Sequence, residues 1–341
     1  MEPTKRAVVD IGRKCNVNCK FCYYSHLGDL RKQSFRPLNE LIEEVKNAKL
    51  RGNTWIDITG GEPTIYPQLS DLVKAIHNEK MKACIITNGI MSEVESILGT
   101  GVDEFLFSIH GTESIHDSLL QRNGAREQQL KFIDRIQEEG IPFRFNTVIN
   151  SYTYEHLSEM VNDFRVSGML PYIWNFINFN PHHEWSQDIE ATKSIIVTNF
   201  KKVSEQIAIV SQMLEVLGVG VNLRYFPMCQ IPEVYRRIVC NDLHVTFDPY
   251  EWDYNIFPKT GEAHLKWAIT GSANVELKTF PCSYCQLQYI CGGVNRAFYQ
   301  AYKALGHDDF KPISREEFSG SDPFDFYYYR KYNVLTLEEQ S

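Results

Sequence analysis

The stretch Ala7-Val-Val-Asp-Ile11-Gly-Arg-Lys-Cys15-Asn-Val-Asn-Cys19-Lys-Phe-Cys22 joins a short apolar run to three cysteines held within eight residues. Ala7–Ile11 has the length and composition of a buried strand, and the thiols follow at its C-terminal end. Thiolates are the usual ligands of iron–sulfur clusters, and three of them on a four-iron cluster leave one iron open to an outside molecule. Structural zinc is normally closed by four ligands, and His26 stands close enough in sequence to be the fourth. Spacing alone leaves both metals open.

The same strand-then-turn texture repeats downstream. Strand candidates are Ala7–Ile11, Trp55–Thr59, Ala83–Thr87, Glu104–His110, Phe143–Ile149 and Tyr172–Phe179, each short, apolar and bounded by Gly, Pro, Asn or charge. Between them lie amphipathic stretches at Leu38–Leu50, Leu69–Asn78, Ala125–Glu139 and Tyr154–Val166. Six strand–helix units in succession predict an α/β fold, a partial (β/α)6 TIM-like barrel with a parallel sheet. Functional residues of such folds gather at the C-terminal ends of strands, where Gly60–Pro63, Asn88–Gly89 and His110–Gly111 stand. One long helix over 188–217 is expected to close this half, ahead of Gly218 and Gly220. Residues 1–217 therefore read as the barrel. Residues 218–341, irregular and rich in aromatics, Pro and Cys, read as a small C-terminal domain ordered by a metal centre.

Composition narrows the class. A hydrophobic content of 43% suits a real core, and a net charge of −8 disfavours nucleic acid as the main partner, because phosphate binding needs basic surface. No apolar signal region follows Met1 and no run reaches membrane-spanning length, so a soluble cytoplasmic protein is expected. Six of the nine cysteines sit in two tight groups of three, which favours metal or cluster binding over disulfides.

Cys-x3-Cys-x2-Cys, with Phe21 before the last Cys, resembles the signature of the radical S-adenosylmethionine (SAM) superfamily. Thr59-Gly60-Gly61-Glu62-Pro63 resembles that family's GGE motif, and the likeness covers about residues 6–180. The resemblance implies a 4Fe–4S cluster on Cys15, Cys19 and Cys22 whose open iron is chelated by SAM. It implies reductive cleavage of SAM to a 5′-deoxyadenosyl radical that abstracts a substrate hydrogen, with a reductant such as flavodoxin or ferredoxin. By motif match, Gly60 and Gly61 would allow close approach to the ligand, and Glu62 or its backbone would meet the SAM ammonium. Phe21 and Tyr23 would flank adenine, Ser108 would reach the ribose or methionyl end, and Arg122 would pair with the carboxylate. Asn146 and Asn88 are weaker candidates of the same kind.

Cys282-Ser-Tyr-Cys285 followed by Cys291 resembles part of the SPASM pattern, which carries auxiliary clusters in many radical SAM enzymes. The pattern departs at Asn295, where another Cys would stand, and no Cys follows Cys291. One auxiliary cluster is expected, on Cys229, Cys282, Cys285 and Cys291, with zinc as the alternative metal. Cys240 reads as a structural thiol, an alternative ligand or a hydrogen donor, and Cys84 as core.

Past the sixth strand, Asn178 and Asn180 are expected to face the barrel mouth if Phe176, Ile177 and Phe179 pack elsewhere, with His182, His183, Glu184 and Trp185 in the loop beyond. An opposing wall is expected from Arg224–Cys229 and Asp248–Asp253, with Tyr225 or Tyr250 as electron or hydrogen relays. The leading reading is a radical SAM enzyme acting on a small-molecule biosynthetic intermediate. A maturase of a ribosomally made peptide is the alternative, disfavoured by a cluster motif that begins at residue 15. A non-catalytic iron–sulfur electron carrier is the reading from a different class, and the GGE motif argues against it.

Overall fold

The computed structural model describes residues 6–24, 26–91, 93–240, 252–253, 276–277, 280–288 and 290–318. Seven full strands form one parallel sheet: β1 Arg6–Asp10, β2 Trp55–Thr59, β3 Lys82–Thr87, β4 Glu104–Ser108, β5 Phe143–Ile149, β6 Ile173–Asn178 and β7 Gly220–Arg224. They pair in sequence order, and the two-residue strands β8 Val239–Cys240 and β9 Trp252–Asp253 extend the β7 and β1 edges. The sheet curls into a partial barrel, as the sequence implies. The helices that cover it are α1 Leu38–Leu50, α2 Leu69–Asn78, α3 Val94–Leu98, α4 Glu113–Leu120, α5 Ala125–Glu138, α6 Leu157–Ser167, α7 Ile189–Ile195 and α8 Phe200–Val216. Beyond the sheet, β10 Glu276–Leu277 and β11 Val294–Asn295 pair antiparallel, and α9 Arg296–Ala304 follows. None of the described helices is long and apolar enough to cross a membrane.

The outward strand faces are the apolar ones. In α2, Leu69, Leu72, Val73 and Ile76 fall on one stripe and are all buried against the sheet. Phe105 and Phe107 of β4 meet Phe132 of α5 edge-on at 5.2 and 5.3 Å. Phe145 of β5 and Trp174 of β6 close on Phe164 of α6 at 4.7 and 5.5 Å. These aromatic contacts fix two helices, α5 and α6, to three strands.

The inward face carries charge at its lower end. Arg6 Nη1 donates to Asp57 at 2.6 Å, Arg6 Nη2 to Glu104 at 2.5 Å, and Arg144 Nε to Glu104 at 2.5 Å. All four side chains are buried, and Tyr172 Oη also donates to Glu104. The Arg144 guanidinium and then Arg6 hold the Glu104 carboxyl below the usual carboxylate range against the opposing effect of burial. Cys84 is buried as expected, yet it faces this ionic floor, accepting from Arg144 Nη2 at 3.7 Å.

Two readings change. The single helix expected over 188–217 is two, because Ile196 turns extended and the Asn199 side chain caps a fresh start by accepting from Lys202 N. The sheet also runs past residue 217. β7 pairs with β6 over five residues, so the change of texture at 218–222 overlaps the last full strand of the barrel.

Candidate active site

A cavity of about 560 Å³ opens at the C-terminal ends of the strands. Cys15, Cys19, Cys22, Phe21, Tyr23, Gly60, Gly61, Glu62, Ser108, Asn146, Asn178 and Asn180 all border it. The loop bearing the thiols is held by backbone on several sides. Arg36 N donates to Ile11 O at 2.8 Å and Cys15 N to Leu30 O at 3.2 Å, folding the loop back beside β1. Lys20 N donates to Leu119 O at 2.9 Å, tying it to the end of α4. Gly61 N and Glu62 N donate to Gly12 O and Lys14 O at 2.8 and 3.0 Å, tying it to the end of β2.

That last contact explains the glycines. A Cβ on Gly61 would stand 2.0 Å from Lys14 O, and one on Gly60, at φ +135°, would stand 2.6 Å from Gly12 O. The close approach these positions permit is that of the thiol loop's own backbone. Glu62 is likewise engaged inward. Its Oε1 accepts from Thr64 N at 3.0 Å and from the Thr64 and Thr87 hydroxyls at 2.7 Å, and its Oε2 accepts from Asn88 N at 2.8 Å. Burial lifts the Glu62 carboxyl above its ordinary range, and these donors oppose the rise. Asn88 in turn donates to Asn16 Oδ1 at 2.8 Å and lies 3.9 Å from Cys15 Sγ.

The three thiols are near enough to feel one another. Burial pushes Cys15 up to about 12, with Glu62 and Cys22 adding to the rise. Cys19 is pushed up by burial, then by Cys22 and Cys15. Three mutually coupled thiols bordering one roomy cavity fit a cluster that bonds three protein sulfurs and leaves a face open. His26, the fourth zinc ligand considered above, contacts Asp188 at 3.0 Å and packs at a tilt against Trp185 at 4.5 Å. Among the described residues no three Cys, His, Asp or Glu side chains close on a single ion.

Other expected residues fall elsewhere. Arg122 does not border the cavity; its guanidinium donates to Asn16 O at 3.3 Å and Gln128 Oε1 at 3.4 Å, behind the thiol loop. Trp185 is buried, and its Nε1 donates to Cys22 O at 2.8 Å. The His182 ring lies tilted against Tyr23 at 5.2 Å and edge-on to Tyr225 at 6.4 Å, both of which border the cavity. Asn178 and Asn180 do reach it, together with Ile177 and Phe179, so the expected separation of these side chains does not hold at the end of β6. Asn178 Oδ1 and Asn180 Oδ1 are buried acceptors without a donor among the described residues.

Two bordering residues were not singled out as ligands by sequence. Arg224 is a buried cation at the end of β7, next to Tyr225, whose φ of +61° is unusual for a side-chain-bearing residue. His110 is buried with Nδ1 accepting from Val148 N at 3.3 Å, so its Nε2 carries the proton; its ring meets Phe21 at 4.6 Å. The sequence signals for them are the place of His110 after a strand and the wall expected over Arg224–Cys229.

The second cysteine group also converges. Cys229, Cys282, Cys285 and Cys291 border one cavity of about 40 Å³. Burial pushes Cys229 up to about 12, and Cys291, Cys285 and Cys282 add to the rise. Gly293 N and Ile313 N donate to Cys291 and Cys285 sulfurs at 3.4 and 3.3 Å, the kind of contact that steadies cluster thiolates. Buried Arg236 places a cation beside Cys229, donating through Nε to Met228 O and Ile231 O at 3.2 Å. The Cys240 side chain and residues 248–251, including Tyr250, lie outside the described residues.

A model of the Radical SAM superfamily matches residues 9–164, the stretch that holds the thiol loop, the Gly60–Glu62 turn, the first five helices and most of the sixth. This stretch carries a radical SAM domain. A 4Fe–4S cluster and SAM are the cofactors of that family. Among curated relatives, the GTP 3′,8-cyclase of Clostridium perfringens (strain SM101 / Type A) is 24% identical over 200 residues, covering 57% of this chain and 61% of the cyclase. The antilisterial bacteriocin subtilosin biosynthesis protein AlbA of Bacillus subtilis is 22% identical over 181 residues, covering 50% of this chain and 39% of AlbA. The chain thus spans less than two thirds of the length of either relative. Among solved structures, native anSMEcpe with bound AdoMet superposes with a TM-score of 0.56 at 16% identity, covering 97% of this chain and 99% of that one. Streptococcus suis SuiB gives 0.51 at 20% identity, covering 65% and 49%. At such identities these two likenesses concern the fold.

Proposed function

We propose that this protein is an enzyme that binds SAM over a cluster on Cys15, Cys19 and Cys22 and draws a hydrogen atom from a small-molecule biosynthetic intermediate. One auxiliary 4Fe–4S cluster, on Cys229, Cys282, Cys285 and Cys291, assists it. The observation that carries this reading is the pair of cysteine sets, one at a roomy cavity open to ligands and one around a small cavity. Bound there, cluster and SAM supply one-electron cleavage and hydrogen abstraction, with an electron from a reductant such as flavodoxin or ferredoxin.

The protein's own share is positioning. Phe21 and Tyr23 offer ring faces to the adenine, and Ser108 and Asn146 offer polar hydrogens on the opposite side of the cavity. The Asn178 and Asn180 carbonyls call for N–H or O–H donors from the ligand, because a buried acceptor left unmet costs about 1–3 kcal/mol. Arg224 suits an anionic group. A compact substrate carrying both amine or amide hydrogens and a carboxylate or phosphate meets these demands.

The test is anaerobic reconstitution with iron and sulfide, then SAM and dithionite, with 5′-deoxyadenosine as the product to detect. Its absence from fully loaded protein would sink the reading. Iron should number about eight per chain, falling to about four in the Cys15/Cys19/Cys22 triple Ala variant. Retention of no iron in that variant would remove the auxiliary cluster. The curated likeness to AlbA supports a second reading, a peptide substrate, tested by whether linear peptides accelerate 5′-deoxyadenosine release where small amino compounds do not.

A further inference from the structure

Ser108 on β4, Asn146 on β5, Asn175 on β6 and Asn222 on β7 are successive register partners, forming one row across the barrel interior. Three of the four are asparagines, and they are bonded head to tail. Asn222 Nδ2 donates to Asn175 Oδ1 at 2.8 Å, and Asn175 Nδ2 donates to Asn146 Oδ1 at 2.7 Å. Asn175 and Asn222 are only 4% and 5% exposed, so water offers little competition for these bonds. Asn146 borders the cavity with its carbonyl already used, and no described residue accepts from its Nδ2.

A carboxamide is nearly symmetric in shape but has one donor end and one acceptor end, so only its neighbours decide which end faces a site. Two bonds in series, running one way, make that decision here. Turning Asn146 over would set its NH2 against the NH2 of Asn175, and the whole row would have to reverse to relieve the clash. We infer that this row is a polarity relay: Asn175 and Asn222 are positioning residues that oblige Asn146 to present an N–H, beside the Ser108 hydroxyl, to an acceptor oxygen of bound SAM. The inference rests on SAM occupying this cavity, as the radical SAM domain implies.

The relay can be reversed from its far end, at Asn222, which does not itself border the cavity. In Asn222→Asp the new carboxylate only accepts, so Asn175 turns to donate to it, Asn146 turns to donate to Asn175, and a carbonyl meets SAM instead of an N–H. Asn175→Asp forces the same turn directly. Asn222→Ala leaves the second bond, which serves either direction equally, so SAM itself can select the donating turn of Asn146.

The experiment is equilibrium dialysis of SAM against anaerobically reconstituted protein. Asn146→Ala, Asn222→Asp and Asn175→Asp should each weaken SAM binding about tenfold, and Asn222→Ala less than about threefold. In an Asn146→Ala background, Asn222→Asp should cost nothing further. Wild-type binding that Asn222→Asp leaves intact, an equal loss in both backgrounds, or a loss under about threefold for Asn146→Ala would each overturn the relay. If Asn222→Asp does not fold, Asn175→Asp carries the same reading, and the Asn146→Ala limit decides alone if neither folds. Reconstituted wild type that binds no SAM at all would overturn the cofactor reading, and the relay with it.

Discussion

Trp185 Nε1 donates to the carbonyl of Cys22 at 2.8 Å, so a residue past the sixth strand steadies the last thiol of a loop that follows the first. The indole is also packed by Phe179 at 5.1 Å and His26 at 4.5 Å. Trp185→Phe keeps most of the packing and deletes the bond, a loss of about 1 kcal/mol from the loop. We expect the reconstituted variant to bleach faster than wild type when a chelator competes for iron, with a melting temperature lower by only a few degrees. Equal bleaching rates would show that the bond does not steady the loop.

Glu62 is a second such hub, and its test follows from donor counting. Two carboxylate oxygens receive four donated hydrogen bonds from Thr64, Thr87 and Asn88. Glu62→Gln replaces one oxygen by an NH2, which must then face a donor on either side. A destabilisation of about 1–3 kcal/mol is expected in urea unfolding of the metal-free protein. Glu62→Gln as stable as wild type would contradict the assignment of this carboxylate to the frame of the site.

The ionic floor supports a prediction about stability alone. Removing one partner from a buried ion cluster strands the others, and Arg144→Ala leaves Glu104 with Arg6 and the Tyr172 hydroxyl only. A loss of about 3–5 kcal/mol is expected. Enough folded protein recovered at low temperature should still load iron at the wild-type stoichiometry, since the thiol loop lies at the other end of the strands. Iron loss in proportion to the floor's disruption would mean the two ends are coupled.

Acid sensitivity should come from His110 and His116. Burial pushes His110 down to about 3, and pushes His116 well down too, with His110 and Arg126 nearby adding to the effect. Both are neutral when folded, whereas an unfolded histidine takes up a proton near 6.5. Below that pH the unfolded chain binds more protons than the native one, so stability falls as pH falls, from about 6.5 towards 3. The slope approaches about 1.4 kcal/mol per pH unit for each histidine. Urea midpoints at pH 7, 6 and 5 check this, and His116→Gln should remove one histidine's share. A flat profile would show that these rings are not buried neutral.

Much of the barrel is legible in the sequence because its outward strand faces and helix stripes are apolar in the expected periods. Leu38–Leu50, Leu69–Asn78 and Phe143–Ile149 form the expected elements over those very residues. The thiol loop is legible for a different reason: its ligands are close in sequence. Cys229 lies far from Cys282 along the chain, and only the fold brings it to the same cavity. The floor is hidden because Arg6, Asp57, Glu104 and Arg144 alternate with apolar residues, which is also the pattern of a strand with one wet face. Arg122 and Trp185 carry the residue types of ligand contacts, and their use as props behind the loop depends on where α4 and the β6 loop end.

The asymmetry between the two ends of the barrel has a kinetic consequence. With Arg6, Asp57, Glu104 and Arg144 filling the lower end at 1% exposure or less, nothing can leave through it. If SAM and substrate bind as proposed, they must share the mouth, so the deeper of the two has to arrive first and depart last. An ordered sequence of binding, with inhibition by excess of the later ligand, is therefore built into the architecture before any chemistry begins.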